Sequence, residues 1–165
     1  MLPEALQQDP VAAALAARFG DAITGGNLNL GELTLEIDPA RIVEVGRFFK
    51  DEQKFEQLSS VTCVDWHPRE PRFEVVYHLR SYERKLVIRL KCKVGAAGDV
   101  YAIDSLYPVW KSADWYEREV FDLLGVTFHN HPDLRRIMLP DHWKGHPLRK
   151  DYPVHGYKYS YADQQ

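Results

Sequence analysis

Phe73-Glu74-Val75-Val76-Tyr77-His78-Leu79-Arg80 sets Phe73, Val75, Tyr77 and Leu79 on one side of an extended chain and Glu74, His78 and Arg80 on the other. Alternation of this kind is the period of a strand with one apolar face. Lys85–Val94 repeats it, with Leu86, Ile88, Leu90, Cys92 and Val94 on one side and Arg89, Lys91 and Lys93 opposite. One buried face and one polar or helix-covered face imply an antiparallel sheet, because parallel sheets are covered on both sides and read as continuous apolar runs. Val61–Asp65 supplies a third strand. Val100–Leu106, after a turn at Gly95–Asp99, supplies a fourth.

Outward from these strands the helices are marked by their ends. Asp9-Pro10 is an N-cap followed by an N1 proline, so a helix covers Val11–Phe19 and closes at Gly20 as a left-handed stop. Asn27–Ile37 predicts a short hairpin, with Leu33, Leu35 and Ile37 alternating and Gly31 in the turn. Asp38-Pro39 repeats the cap-plus-proline signal and opens a helix to about Lys50, with Ile42, Val45 and Phe49 at helical spacing. A third helix covers Asp114–Leu124 and ends at Gly125; Asp114 and Glu117 have capping-box spacing, with aspartate in place of serine or threonine. Its apolar stripe is Tyr116, Val120, Leu123 and Leu124, with Asp114, Arg118 and Asp122 on the other side.

From about His129 periodicity disappears. Pro132, Pro140, Pro147 and Pro153, with Gly145 and Gly156, forbid a long helix or a central strand. Yet Leu134, Ile137, Met138, Leu139, Trp143, Leu148 and three tyrosines after Tyr152 are not the composition of a disordered linker. An irregular segment with such side chains cannot bury them against itself, so it is expected to lie across a partner. The fold class is therefore α+β: an antiparallel sheet of about four strands packed with two or three helices, then an extended irregular C-terminal arm. Residues 1–128 form the globular domain and 129–165 the arm, in a single folding unit overall.

Composition narrows the function classes. At 165 residues, 45% apolar and 27% charged, the chain suits one soluble domain. Uncharged stretches such as Ala22–Gly31 and Leu123–Pro132 run about ten residues, against the roughly 20 of a membrane-spanning helix. The N-terminus lacks a basic segment followed by an apolar run, so no secretory signal is expected. Cys63 and Cys92 are the only cysteines, too few for the usual four-thiolate iron–sulfur cluster. Both fall in strand-like runs and read as reduced, buried structural thiols, which suits the cytoplasm. Net charge is −3, but residues 129–165 carry 6 basic against 4 acidic side chains and five of the seven histidines.

Three stretches carry a resemblance. Trp115-Tyr116-Glu117-Arg118-Glu119-Val120-Phe121-Asp122-Leu123-Leu124-Gly125-Val126 leads to His131-Pro132-Asp133-Leu134-Arg135-Arg136-Ile137-Met138-Leu139-Pro140, and then to Gly145-His146-Pro147-Leu148-Arg149-Lys150-Asp151-Tyr152-Pro153. In order and spacing these look like the signature of the C subunit of respiratory complex I (NADH:quinone oxidoreductase), the bacterial counterpart of the mitochondrial 30 kDa subunit. Weaker likeness extends back to about Phe55. Departures are few: Met138 stands for a common leucine, and His142 for a frequent acidic residue. The related J subunit of chloroplasts and cyanobacteria tends to lack the histidine matching His146, so the bacterial respiratory form is the better match. The equivalent subunit of membrane-bound nickel–iron hydrogenases is the near alternative.

The resemblance implies a non-catalytic peripheral-arm subunit with no cofactor of its own; flavin, iron–sulfur clusters and quinone belong to partner subunits. It implies partners in the quinone-site subunit, a relative of the hydrogenase large subunit, and in neighbouring iron–sulfur subunits. The complex carries electrons from NADH to quinone and pumps protons. This chain would be peripheral, on the cytoplasmic side of the bacterial cell membrane, its membrane contact indirect. The motif residues from Glu117 to Pro153 would be its interface.

Competing readings follow from the same residues. Glu117, Glu119, Asp122 and the histidine-rich tail could serve a stand-alone metalloenzyme. His142-x-x-x-His146 has zinc-helix spacing, but Gly145 and Pro147 oppose a helix there and no HExxH glutamate is present. His129-x-His131 suits a strand, with Pro132 next. An ion-pair network is the plainer reading, Arg118 lying four residues from both Asp114 and Asp122, and Glu119 able to reach Arg135 or Arg136 if the arm folds back. Arg135-Arg136 and Arg149-Lys150 could bind phosphates, but Asp133, Asp141 and Asp151 interrupt any sustained basic face, so no nucleic acid is expected.

Overall fold

The computed structural model describes residues 3, 6–95 and 101–154. Its elements are α1 (Pro10–Phe19), β1 (Ile23–Asn29), β2 (Glu32–Ile37), α2 (Ile42–Asp51), β3 (Gln57–Asp65), β4 (Phe73–Ser81), β5 (Leu86–Val94), β6 (Ala102–Asp104), α3 (Ala113–Leu124) and β7 (Thr127–His129). The α+β class read from alternation is the class observed. β3, β4 and β5 form an antiparallel meander, with Tyr77 opposite both Val61 and Leu90.

The sheet differs in two respects from the one expected. It has five strands in the order β1-β2-β5-β4-β3, and β2 pairs with β5 in parallel. Alternation reports that a strand has one apolar face, not which neighbour it takes; Leu33 and Leu35 find theirs opposite Ile88 and Leu90 of β5, and both are buried. The expected fourth strand does not join this sheet. Ala102–Asp104 pairs in parallel with Thr127–His129 as a separate two-stranded sheet. Val100 and most of the Gly95–Asp99 turn lie outside the described residues, as do the arm's residues 155–165 with their three tyrosines and Gly156.

Helix ends behave as their caps require, with exceptions. Asp9 accepts the N–H groups of Val11 and Ala12, both at 2.9 Å. Gly20 is not a left-handed stop: at φ −61° it continues into a 3-10 turn over Gly20–Ala22. Asp38 caps Ala40 N–H, but Pro39–Arg41 form a 3-10 turn before α2 proper. Among the described residues Phe49, Phe55, Phe73, Tyr77 and Leu79 are fully enclosed between the helices and one face of the sheet. Burial of each of these phenylalanine and leucine side chains contributes about 1.5–3 kcal/mol. Cys92 is buried in this core and Cys63 is half-buried on β3; both are free thiols. Burial pushes the Cys63 thiol up to about 12, so it is not a poised nucleophile.

Candidate docking site

The last two turns of α3 and the arm form one hydrogen-bonded unit. Asp122 is fully enclosed on α3. Its Oδ2 accepts the backbone N–H groups of Ile137 at 3.0 Å, Met138 at 2.8 Å and Leu139 at 2.9 Å, and Oδ1 accepts from Arg136 at 2.6 Å. Burial alone would raise this carboxyl; the Leu139 N–H, the Arg136 guanidinium and the other two amides outweigh it and hold the group below its ordinary value. Arg136 reaches onward to the carbonyls of Trp143 at 3.1 Å and Gly145 at 3.2 Å. One carboxylate–arginine pair therefore folds Arg136–Gly145 into shape.

The arm also completes the C-terminus of α3, where the final carbonyls of any helix lack partners. His146 Nδ1–H donates to Asp122 O at 2.8 Å, and Leu148 N–H to Leu123 O at 3.0 Å. Arg149 donates to Leu124 O at 2.5 Å and Gly125 O at 3.1 Å. Gly125 has φ +74°, and a Cβ there would stand 2.2 Å from Arg149 Nη2 and 2.6 Å from the His146 ring. Both the left-handed turn and the close passage of the arm require glycine.

A second fastening sits where β3 meets β4. Arg72 forks onto Asp65 at 2.9 and 2.8 Å and onto Asp151 at 2.9 and 2.6 Å. Asp65 also accepts the N–H groups of His67 and Lys150, both at 2.9 Å. Burial opposes the charge on Asp65, but Arg72 and these amides drive its pKa well down; Asp151 is lowered chiefly by Arg72. Arg72 and Arg149 both lie over the Phe73 and Tyr101 rings, 5.0–5.8 Å from the centroids. Neither Asp65 nor Arg72 stands out in the sequence; an isolated acid at a strand end and a lone arginine carry no local pattern.

The carboxylates of α3 are used differently from the spacing-based expectation. Glu117 makes no capping box. It is fully enclosed, accepting from Ser105 Oγ at 2.5 Å and Leu106 N–H at 2.7 Å, and burial raises its carboxyl to about 7. Arg118 pairs with neither Asp114 nor Asp122; it donates to the carbonyls of Arg135 and Arg136, each at 3.2 Å. Glu119 is exposed, and Arg135 pairs with Asp133 at 2.8 Å instead. Helical i, i+4 proximity loses here because the arm lays the Arg135 and Arg136 carbonyls against Arg118, and the Ser105–Leu106 segment brings its donors to Glu117.

His131 has an enclosed side chain: Nδ1 accepts Asp133 N–H at 3.1 Å, which leaves Nε2–H for Asp114 O at 3.2 Å, and Glu117 Oε2 is 3.9 Å away. His142 is exposed and His146 is committed to α3. Among the described residues no group of three His, Cys, Asp or Glu side chains could hold a metal. Leu134 packs against the core, Tyr152 N–H bonds Arg149 O, and Pro132, Pro140, Lys150 and Pro153 are exposed while Pro147 is half-buried. Turned outward are Trp115 (67% exposed), Met138 (63%), Leu148 (58%) and Trp143. Inward bonds shape the arm, and Met138, Trp143 and Leu148 stay on its outer side.

Residues 35–158 match the family model described as respiratory-chain NADH dehydrogenase, 30 Kd subunit. The chain is 45% identical over 159 residues to the NADH-quinone oxidoreductase C subunit of Cereibacter sphaeroides, covering 94% of this chain and 76% of that one. The protein of that name from Geobacter sulfurreducens is 48% identical over 143 residues, covering 86% and 87%. Among solved structures, a trypsin-resistant fragment of Nqo5 aligns with a TM-score of 0.65 and 27% identity over 75% of this chain and 98% of the fragment. One component of the membrane-bound sulfane sulfur reductase, an archaeal respiratory membrane complex, aligns with a TM-score of 0.74 and 25% identity over 87% of this chain and 84% of its own.

Proposed function

Since the chain belongs to the family of the respiratory-chain NADH dehydrogenase 30 kDa subunit, which includes the bacterial NADH-quinone oxidoreductase C subunits, we propose that it is a non-catalytic docking subunit that joins the quinone-site subunit to cluster-bearing neighbours. The observation that carries this reading is the arm. Its backbone is held by Asp122, Arg136, Arg149 and the Arg72 clasp, while Met138, Trp143 and Leu148 are turned away from the chain's own core. Apolar side chains displayed on a shaped, polar-pinned backbone are the anatomy of a pre-organised protein interface.

No flavin, cluster or quinone is assigned to this chain; those groups would sit in its partners. Among the described residues no helix is long and apolar enough to cross a membrane. A peripheral position on the cytoplasmic side, held through the complex, follows from this reading. The reductase alignment supports a wider reading, an equivalent subunit in membrane complexes with other electron acceptors. Identity of 45% to a quinone oxidoreductase subunit against 25% to that reductase component favours quinone.

The test is assembly. Met138→Ser, Trp143→Ser and Leu148→Ser combined leave every bond that shapes the arm, and should abolish co-isolation of the chain with the oxidoreductase. Full incorporation and NADH:quinone activity in cells carrying the triple variant would sink the docking role.

A further inference from the structure

Two hairpin turns meet at one end of the sheet, away from the arm. Because β2 and β5 are parallel, with Leu33 opposite Ile88 and Thr34 opposite Arg89, the Leu30-Gly31 turn that precedes β2 lies beside the Tyr82–Lys85 turn that precedes β5. The arm is fastened at the other end, where Asp65, Phe73 and Val94 stand in register. At the turn end Leu30 is 97% exposed, and Tyr82 and Val87 are each about half exposed. Three shallow cavities of about 290, 50 and 270 Å³ adjoin there, sharing Glu32 and Arg89 and then Val87. Together they cross β1, β2, β5 and β4 on the polar face, a span of roughly 15–20 Å at the usual strand spacing.

The charge on this face is uneven. From Arg80 to Lys93 there are six cations and one acid, Glu83. Three of the cations are neutralised across strands: Arg89 by Glu32, Lys91 by Glu74 and Lys93 by Glu36. Arg84 donates to Gln53 and lies over the Phe55 ring. Arg80 and Lys85 have no carboxylate partner among the described residues, and both line the 270 Å³ end together with Tyr82, Leu86 and Val87. An apolar floor between two unneutralised cations is complementary to an apolar segment bearing a carboxylate.

We propose that this groove is a second docking surface, occupied by a short segment of a partner subunit whose apolar side chains lie along Val87 and Tyr82 and whose carboxylate sits between Arg80 and Lys85. About five residues of extended chain would fill it. The inference rests on the reading of the chain as a subunit of a complex, and it adds that the subunit is gripped at both ends of its sheet. A polypeptide fits better than a lipid surface, because stable binding to an anionic bilayer draws on a cluster of about four to eight basic residues rather than two.

The test uses the assembled complex and the isolated full chain. Acylation of Lys85 by an amine-reactive reagent should be at least about tenfold slower in the complex, and carbodiimide should join Lys85 to a carboxylate of another subunit. Arg80→Glu with Lys85→Glu should lower incorporation by a similar factor while thermal melting of the isolated chain is unchanged. Equal acylation of Lys85 in both preparations, with the chain still co-isolating, overturns the groove and leaves the subunit reading standing. Absence of the chain from the complex overturns both. Protection of Lys85 in the isolated chain, on anionic phosphatidylserine vesicles or by self-association, overturns the partner-segment assignment.

Discussion

Asp122 shows how much one buried charge can organise when four donors converge on it. Its carboxylate has no solvent exposure and four donors, three from consecutive backbone amides. Asp122→Ala would strip Arg136 of its carboxylate and leave those three amides unpaired, at an expected cost of about 3–5 kcal/mol in urea unfolding; a loss below about 1 kcal/mol would show that this carboxylate does not hold the arm. Glu117 titrates in the opposite sense. Burial raises its carboxyl from the ordinary 4.5 to about 7, so in that window the folded state keeps a proton that the unfolded chain releases. Its contribution is full below 4.5 and falls as pH rises through 7, by about 3 kcal/mol. His78 and His146, held below their ordinary values mainly by burial, act against this, since their unfolded imidazoles take up protons as pH falls. The measurement is therefore a difference: the stability gap between Glu117→Gln and wild type should shift by about 3 kcal/mol between pH 4.5 and 7.5, and a constant gap would refute the buried titration.

At the scale of elements, the C-terminus of α3 is capped by a segment from more than twenty residues further along the chain. Four carbonyls, from Asp122 to Gly125, receive His146, Leu148 and Arg149. Gly125→Ala combines left-handed strain of about 1–3 kcal/mol with a Cβ in the path of Arg149. Its expected signature is rapid proteolysis within 137–150 while β3–β5 stay protected; uniform protection would mean that the arm shifts without detaching. The end of α3 was legible from its glycine, and the helix from its stripe. The uses of Glu117, Arg118 and Asp122 were not, because helical spacing states which neighbours are near along the helix and nothing about a strap laid over it.

For the whole molecule, the arm and the parallel β2–β5 pairing decide what the chain can present to others. An arm folded before it meets its partner loses less conformational freedom on binding. The amides of Ile137, Met138, Leu139 and Leu148 should accordingly show hydrogen-exchange protection in the isolated subunit. Exchange as fast as in an unstructured peptide would mean that the arm orders only on assembly. Arg72→Ala should reduce that protection at Leu148 more than at Met138, since the two fastenings are separate.

By itself the amino-acid sequence determined the α+β class, the strands β3 to β5, the three helices and a family signature running from Trp115 to Pro153. Periodicity and end-capping are local, and local physics is legible in a linear string. Tertiary structure alone decided that β2 enters beside β5, that β6 leaves the main sheet, and that Asp65 and Arg72 belong with Asp151. It also decided that Arg136 and Arg149 turn inward onto α3 while Met138, Trp143 and Leu148 turn out. The physical reason is the same in each case: a desolvated carboxylate or an apolar strand face must find a complement, and which complement lies within about 3 Å is settled by the packing of distant segments.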